Sequence, residues 1–170
     1  MTERHLSWKD HAPATLSSIL FISQIVVGFY LLPKILQNEI LAYIGVGMYV
    51  ISGIVFGALP VFEFRKKGEV PKGQSYIHTT KLVDTGIYSV VRHPQYVTFI
   101  LFAIAGMFLF QHWIVILLGL PIIPLTYIDL IKADNYAVEK FGEDYKAYMK
   151  KVPRANFLLG IIRRLRKSDE

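Results

Sequence analysis

Residues Ile40 to Leu59 read "ILAYIGVGMYVISGIVFGAL", twenty positions without a charged side chain. A hydrocarbon core about 30 Å thick is crossed by about 20 helical residues, so this stretch predicts a transmembrane helix. Upstream, Thr15 to Leu32, "TLSSILFISQIVVGFYLL", has the same character. Downstream, an apolar block runs from Tyr96 to Ile131 and is interrupted by the triplet Gln111–His112–Trp113. The block is too long for one span and slightly short for two, so it predicts a tight hairpin with its turn at 111–113 and a short third span. The expected fold class is all-α: a polytopic helical membrane protein with about four transmembrane helices (15–32, 40–59, 95–110 and 114–131), a folded cytoplasmic loop and a C-terminal amphipathic helix. One domain, 1–170, is expected.

Composition agrees. Apolar residues make up 53% of the 170 positions and mean hydropathy is positive. The alternative is a soluble bundle whose buried helices imitate spans, and the placement of charge argues against it. With four spans, the termini, the Pro60–His93 loop and the tail from Lys132 share one side. That side carries eighteen of the nineteen lysines and arginines, with Lys34 alone opposite. The positive-inside rule then places both termini in the cytoplasm. Glu3 and Asp10 precede the first apolar run and no small-residue cleavage pattern follows it, which speaks against a cleaved signal peptide. Cysteine is absent, so disulfides, thiolate metal sites and cysteine nucleophiles are excluded. The histidines have no metal-ligand spacing, and no metal is expected. The basic tail "IIRRLRK", beside membrane spans, is expected to face anionic headgroups rather than nucleic acid.

The Pro60–His93 loop is too long for a simple connection and holds Gly68, Pro71, Gly73 and Gly86, so it is expected to fold. After Ile131, aromatic and aliphatic residues recur among Lys and Glu through Lys151, which predicts an amphipathic helix with Gly142 as a break. Pro153 stops that helix, and "NFLLGIIRRLRK" follows as a short interfacial segment.

The densest polar cluster next to a span is "RHPQY", Arg92 to Tyr96. Pro94 suits the first turn of a helix, where its missing N–H costs nothing. The free N–H groups of that turn favour an anion, and Arg92 adds a planar fork for carboxylate or phosphate. His93 and Tyr96 add directional donors. An interfacial belt, with Arg92 snorkelling and Tyr96 anchoring the span, is the plainer reading of the same residues.

"TKLVDTGIYSVVRHPQYVTFIL", followed some forty residues on by "FGEDYKAYMKKVPR", resembles the isoprenylcysteine carboxyl methyltransferase family and its prokaryotic relatives. These are integral membrane enzymes that use S-adenosylmethionine, with phospholipid methyltransferases as more distant relatives. The resemblance covers Gln74 to Arg154. It implies donor-binding parts at about 74–96 and 132–154, with Leu82, Val83, Tyr88, His93, Pro94 and Tyr96 as donor contacts and Gln74 as a further one. Helix-end amides and His93 suit the donor's carboxylate, and an aromatic face suits its sulfonium.

The chain also departs from the family pattern. Thr80 replaces a histidine, and Thr98 replaces a glycine. Ala133 and Asp134 stand where the family has two glutamates, the first of which contacts the donor; Asp134 is the candidate substitute, the alternative being an exposed carboxylate beside Lys132. Asp129 stands where the prenylcysteine enzymes have an arginine facing the acceptor carboxylate. A carboxylate there repels an anion and suits an amine, from which it can take a proton; the alternative is a cap on polar groups at the end of the fourth span. Asp129 and Arg92 are thus the candidate catalytic residues. The expected activity is S-adenosylmethionine-dependent methyl transfer to a lipid-like or small hydrophobic acceptor (amine, thiol or carboxylate) at the cytoplasmic face. An NADPH-dependent sterol-type reductase and a non-catalytic lipid- or partner-binding protein are the rival readings.

Overall fold

A computed structural model describes residues 8–31, 38–73 and 79–168; Gln74, His78 and Lys34 lie outside the described residues. Among these the protein is helical, with α1 (Trp8–Leu31), α2 (Glu39–Ser52), a π-helical segment (Gly53–Ala58), α3 (Leu59–Lys67), a 3-10 turn (Gly86–Ser89), α4 (Pro94–Phe110), α5 (Trp113–Gly119), α6 (Ile122–Lys151) and α7 (Phe157–Ser168). Three stretches, His11–Leu31, Glu39–Lys67 and Trp113–Lys151, are long and apolar enough to cross a membrane, and Pro94–Phe110 is a shorter apolar helix. This is a polytopic helical membrane protein.

The chain divides into two compact units, Met1–Val50 with Phe99–Ile131, and Ile51–Thr98 with Lys132–Glu170. In the first, the large apolar side chains face outward: Ile19, Ile22, Val26, Phe29, Ile40 and Tyr43 are all exposed. Small and polar residues are inside. Ser17 and Gln24 are buried, and Gln24 Nε2 donates to the carbonyls of Ala103 (2.9 Å) and Val115 (3.3 Å). Gly106 and Gly119 leave room for the Gln24 amide, and Gly45 lets α2 approach the backbone of α4 at Ala105 and Leu109. Lipid is as apolar as leucine, so close contact through small residues, not hydrophobicity, holds such helices together.

The turn after α4 is built as the polar triplet suggested. Gln111 adopts positive φ and donates from Nε2 to the Asn38 carbonyl at 2.7 Å, and His112 Nδ1 accepts from the Ile114 N–H at the start of α5. His112 therefore caps a helix, whereas Trp113 is exposed. Helix α5 ends at Gly119, and α6 begins after Pro121.

The second unit begins differently from expectation. The helix containing Ile40–Leu59 continues through Pro60 to Lys67. Proline has no N–H to give the preceding turn, and the π-helical segment just before it absorbs that defect. The first eight residues of the expected loop are thus helical. Segment 79–81 then lies over Gly68 and Glu69: the Thr80 and Lys81 N–H groups donate to the Gly68 carbonyl, and Thr80 Oγ1 donates to that of Glu69. Thr98, standing where the family pattern has glycine, is buried beside Gly57.

Candidate active site

The site grows from the two ends of the "RHP…VPR" pair. The Arg92 N–H donates to the Pro153 carbonyl (3.1 Å), and the His93 N–H donates to that of Arg154 (3.3 Å). Two segments sixty residues apart are thereby held in register, and Pro94 begins α4 immediately afterwards.

Their side chains converge on Asp134, which is 1% exposed. Its Oδ1 accepts from His93 Nε2 (2.6 Å) and the Tyr145 hydroxyl (2.7 Å), and its Oδ2 accepts from Arg154 Nε (2.6 Å). Arg92 Nη1 lies 3.1 Å from Oδ1, and the guanidinium sits 5.9 Å from the centre of the Tyr145 ring. Burial by itself raises the Asp134 carboxyl, but hydrogen bonds from His93, Tyr145 and Arg154 outweigh it and hold the group well below the usual carboxylate range. Asp134 lies beyond the apolar segment that ends at Ile131. Because an ionised carboxylate only accepts, Nε2 is the protonated nitrogen of His93 in this contact. Burial, then the bond to Asp134, pushes the Tyr145 hydroxyl far above the phenol range, so it remains a donor.

One carboxylate here faces two guanidiniums. Among the described residues, Arg92 Nε and Nη1 have no aligned hydrogen-bond acceptor, although Arg92 is buried. A buried guanidinium N–H without an acceptor is costly, so the cluster is electrostatically prepared for a further anionic oxygen.

The remaining predicted residues separate into groups. Tyr88 is buried in the 3-10 turn with its ring stacked on Phe64 at 4.5 Å, and its carbonyl accepts from the Tyr148 hydroxyl. Val83 and Pro94 are buried. Tyr96 is half-buried, edge-on to His93 at 5.8 Å. Leu82 packs against the Tyr145–Tyr148–Val152 core and lines a cleft of about 710 Å3 with Lys81, Asp84, Phe141, Tyr148 and Lys151. Asp129 is buried on α6, five residues before Asp134. Asp134 is not the exposed neighbour of Lys132 that its surroundings in the sequence allowed.

Two members of the cluster were not among the predicted contacts. Tyr145 packs in the core with Tyr148 and Val152, and its hydroxyl also binds Asp134. Arg154 was read only as the end of a motif. The available signal was a cation and a phenol in the motif partnered with "RHPQY", yet partner assignment needs the chain path.

Residues 74–140 of this helical membrane protein, which include most of the buried cluster, match the isoprenylcysteine carboxyl methyltransferase (ICMT) family. The matched segment holds Arg92, His93 and Asp134 but stops short of Tyr145 and Arg154. The chain is 34% identical over 98 residues to protein-S-isoprenylcysteine O-methyltransferase of Schizosaccharomyces pombe, a match covering 52% of this chain and 42% of that protein. It is 25% identical over 155 residues to protein-S-isoprenylcysteine O-methyltransferase B of Arabidopsis thaliana, covering 85% of this chain and 72% of the relative. The match thus spans less than half the length of the yeast protein. No solved structure is significantly similar to the chain.

Proposed function

We propose that this protein is a membrane methyltransferase that uses S-adenosylmethionine and methylates a nucleophile on a lipid-like acceptor. The observation that carries the reading is the Asp134 cluster, where two guanidiniums share one carboxylate and the buried Arg92 Nε has no acceptor among the described residues. The donor has an amino-acid carboxylate, which suits Arg92 and the N-terminal turn of α4. Tyr96 offers an aromatic surface for a cationic sulfonium, and Leu82 offers apolar contact for a purine. When bound, the donor supplies an already activated methyl group, so the protein's part is to align, desolvate and hold.

The relatives are named for an isoprenylcysteine acceptor, and a prenylated cysteine is the first acceptor to try. Asp129 favours a nucleophile that arrives carrying a proton, an amine or a thiol, over a carboxylate. The distribution of lysine and arginine supports a cytoplasmic location for both termini.

Calorimetric titration of the detergent-solubilised protein tests the donor, with NADPH run in parallel. Binding of S-adenosylmethionine is expected, weakened about tenfold or more in Arg92→Lys, whose point charge cannot replace the planar fork. Absence of binding, or binding of NADPH alone, overturns the reading. Incubation with labelled donor and either a prenylcysteine analogue or a native lipid extract, followed by mass spectrometry, then identifies the methylated atom.

A further inference from the structure

Helix α7 divides its circumference three ways. At about 100° per residue, Phe157, Gly160 and Arg164 share one edge, Leu158, Ile161, Ile162 and Leu165 a second, and Arg163 and Arg166 a third with Leu159 between them. The first edge is fastened to the protein. Phe157 packs on Phe56 with ring centres 5.0 Å apart, and Gly160 lies so close to Val90 that a Cβ would run into its carbonyl oxygen. Arg164 Nη1 donates to Ser89 Oγ (2.9 Å) and the Gly86 carbonyl (3.4 Å). Asn156 caps the helix through its Oδ1, which accepts from the Leu159 N–H.

The second edge is bare. Leu158 is 61% exposed and Leu165 62%, with Ile161 and Ile162 exposed between them. Four large apolar side chains at i, i+3, i+4 and i+7 form a continuous stripe of the kind that monomeric surfaces avoid. The third edge carries exposed arginines, and the helix contains no acidic residue to compensate them.

We propose that α7 docks on an anionic bilayer surface, with the leucine–isoleucine stripe entering the acyl boundary and Arg163 and Arg166 meeting acidic headgroups. Three observations select a bilayer over another occupant. The protein already has membrane-crossing helices, so a bilayer surface is at hand. A cationic flank complements anionic lipid and adds to apolar burial at an interface. Parallel pairing with a second copy of the same helix would set Arg163 and Arg166 against their own counterparts. Docking has a consequence for the site. Arg164 and Gly160 hold the Gly86–Val90 segment directly before Arg92 and His93, so seating α7 constrains the backbone that presents them. The proposal goes beyond the methyl-transfer reading and does not depend on the acceptor.

Because the chain has no cysteine, Ile162→Cys in the full-length protein accepts a single environment-sensitive fluorophore. The labelled protein is placed in nanodiscs of neutral phosphatidylcholine, or of phosphatidylcholine with phosphatidylglycerol, with spin-labelled lipid as quencher. In the anionic discs the emission is expected to shift to the blue and be quenched by lipid labelled near the headgroup. Arg163→Gln/Arg166→Gln, both exposed positions, is expected to lower the docked-to-undocked ratio by about thirtyfold, about fivefold per arginine, at an unchanged melting temperature. Quenching by aqueous iodide but not by lipid in both compositions overturns the proposal. So does quenching that follows protein concentration or an added protein partner rather than lipid charge. No part of this readout involves methyl transfer, so its failure is distinct from failure of the function proposed above.

Discussion

The Tyr145 hydroxyl donates to Asp134 Oδ1 at 2.7 Å, although the two residues stand eleven positions apart on α6. In a straight helix that spacing is about 16 Å along the axis, far beyond the reach of a tyrosine. Gly142 resolves the discrepancy. With φ 59° and ψ −131° it leaves the helical region, and the second half of α6 turns back towards the first. That conformation is open to glycine and strained for any residue with a Cβ.

Gly142→Ala is therefore expected to act through the backbone alone, since no atom of the described residues lies within 4 Å of the new methyl group. A destabilisation of about 1–3 kcal/mol is expected, measured as the melting temperature in detergent. Equal stability to wild type would show that Tyr145 returns to Asp134 without the strained backbone at Gly142.

Asp134→Asn keeps the shape of the side chain and removes the charge that Arg92 and Arg154 share. Breaking a buried pair in this way costs about 3–5 kcal/mol. Combining it with Arg154→Gln should cost less than the two single changes added together, because both remove the same Arg154–Asp134 ion pair. Strict additivity of the melting shifts would mean that the two side chains are not coupled.

The acid response follows from the same carboxylate. Its folded-state pKa is depressed, so the unfolded chain takes up the proton first and stability falls as pH falls. The contribution is complete above the ordinary carboxylate value of about 4 and is lost only as pH drops towards the lower folded value. Melting temperature recorded from neutral pH downward should carry a slope below about pH 4, and that slope should shrink in Asp134→Asn. An equal slope in both proteins would assign the acid response to other groups.

Gly160→Ala is the steric counterpart of Gly142→Ala. Here the backbone is helical, and the obstacle is the Val90 carbonyl, a main-chain atom that cannot rotate away. Overpacking of this kind costs about 1–3 kcal/mol, and loosened α7 should be cut faster by trypsin after its already exposed Arg163, Arg164 and Arg166. An unchanged cleavage rate would show that α7 does not bear on Val90.

Much of this fold was legible in the order of residues. Uncharged stretches near Gln24 and Val46 read as membrane helices because hydropathy is a property of each segment by itself. The triplet at 111–113 read as a turn, and Gly142 as a break, for equally local reasons. The length of the second span was not legible, because the π-helical segment that carries the helix through Pro60 has no composition of its own. Within the site, Arg92, His93 and Asp134 stood out from motif resemblance, whereas Arg154 and the hydroxyl of Tyr145 did not.

The amino-acid sequence by itself determined the class of molecule, the crowding of basic residues outside the apolar stretches and the pairing of two motifs. These rest on short-range quantities: transfer of side chains into lipid, helix-end chemistry and residue spacing. Only the tertiary structure decided that Asp134 is a buried hub, that Arg92 is buried against it and that α7 presents a bare apolar stripe. Those outcomes depend on contacts across forty to seventy residues, set by the reversal at Gly142 and the backbone bonds of Arg92 and His93 to Pro153 and Arg154. No local preference encodes a partner that far along the chain.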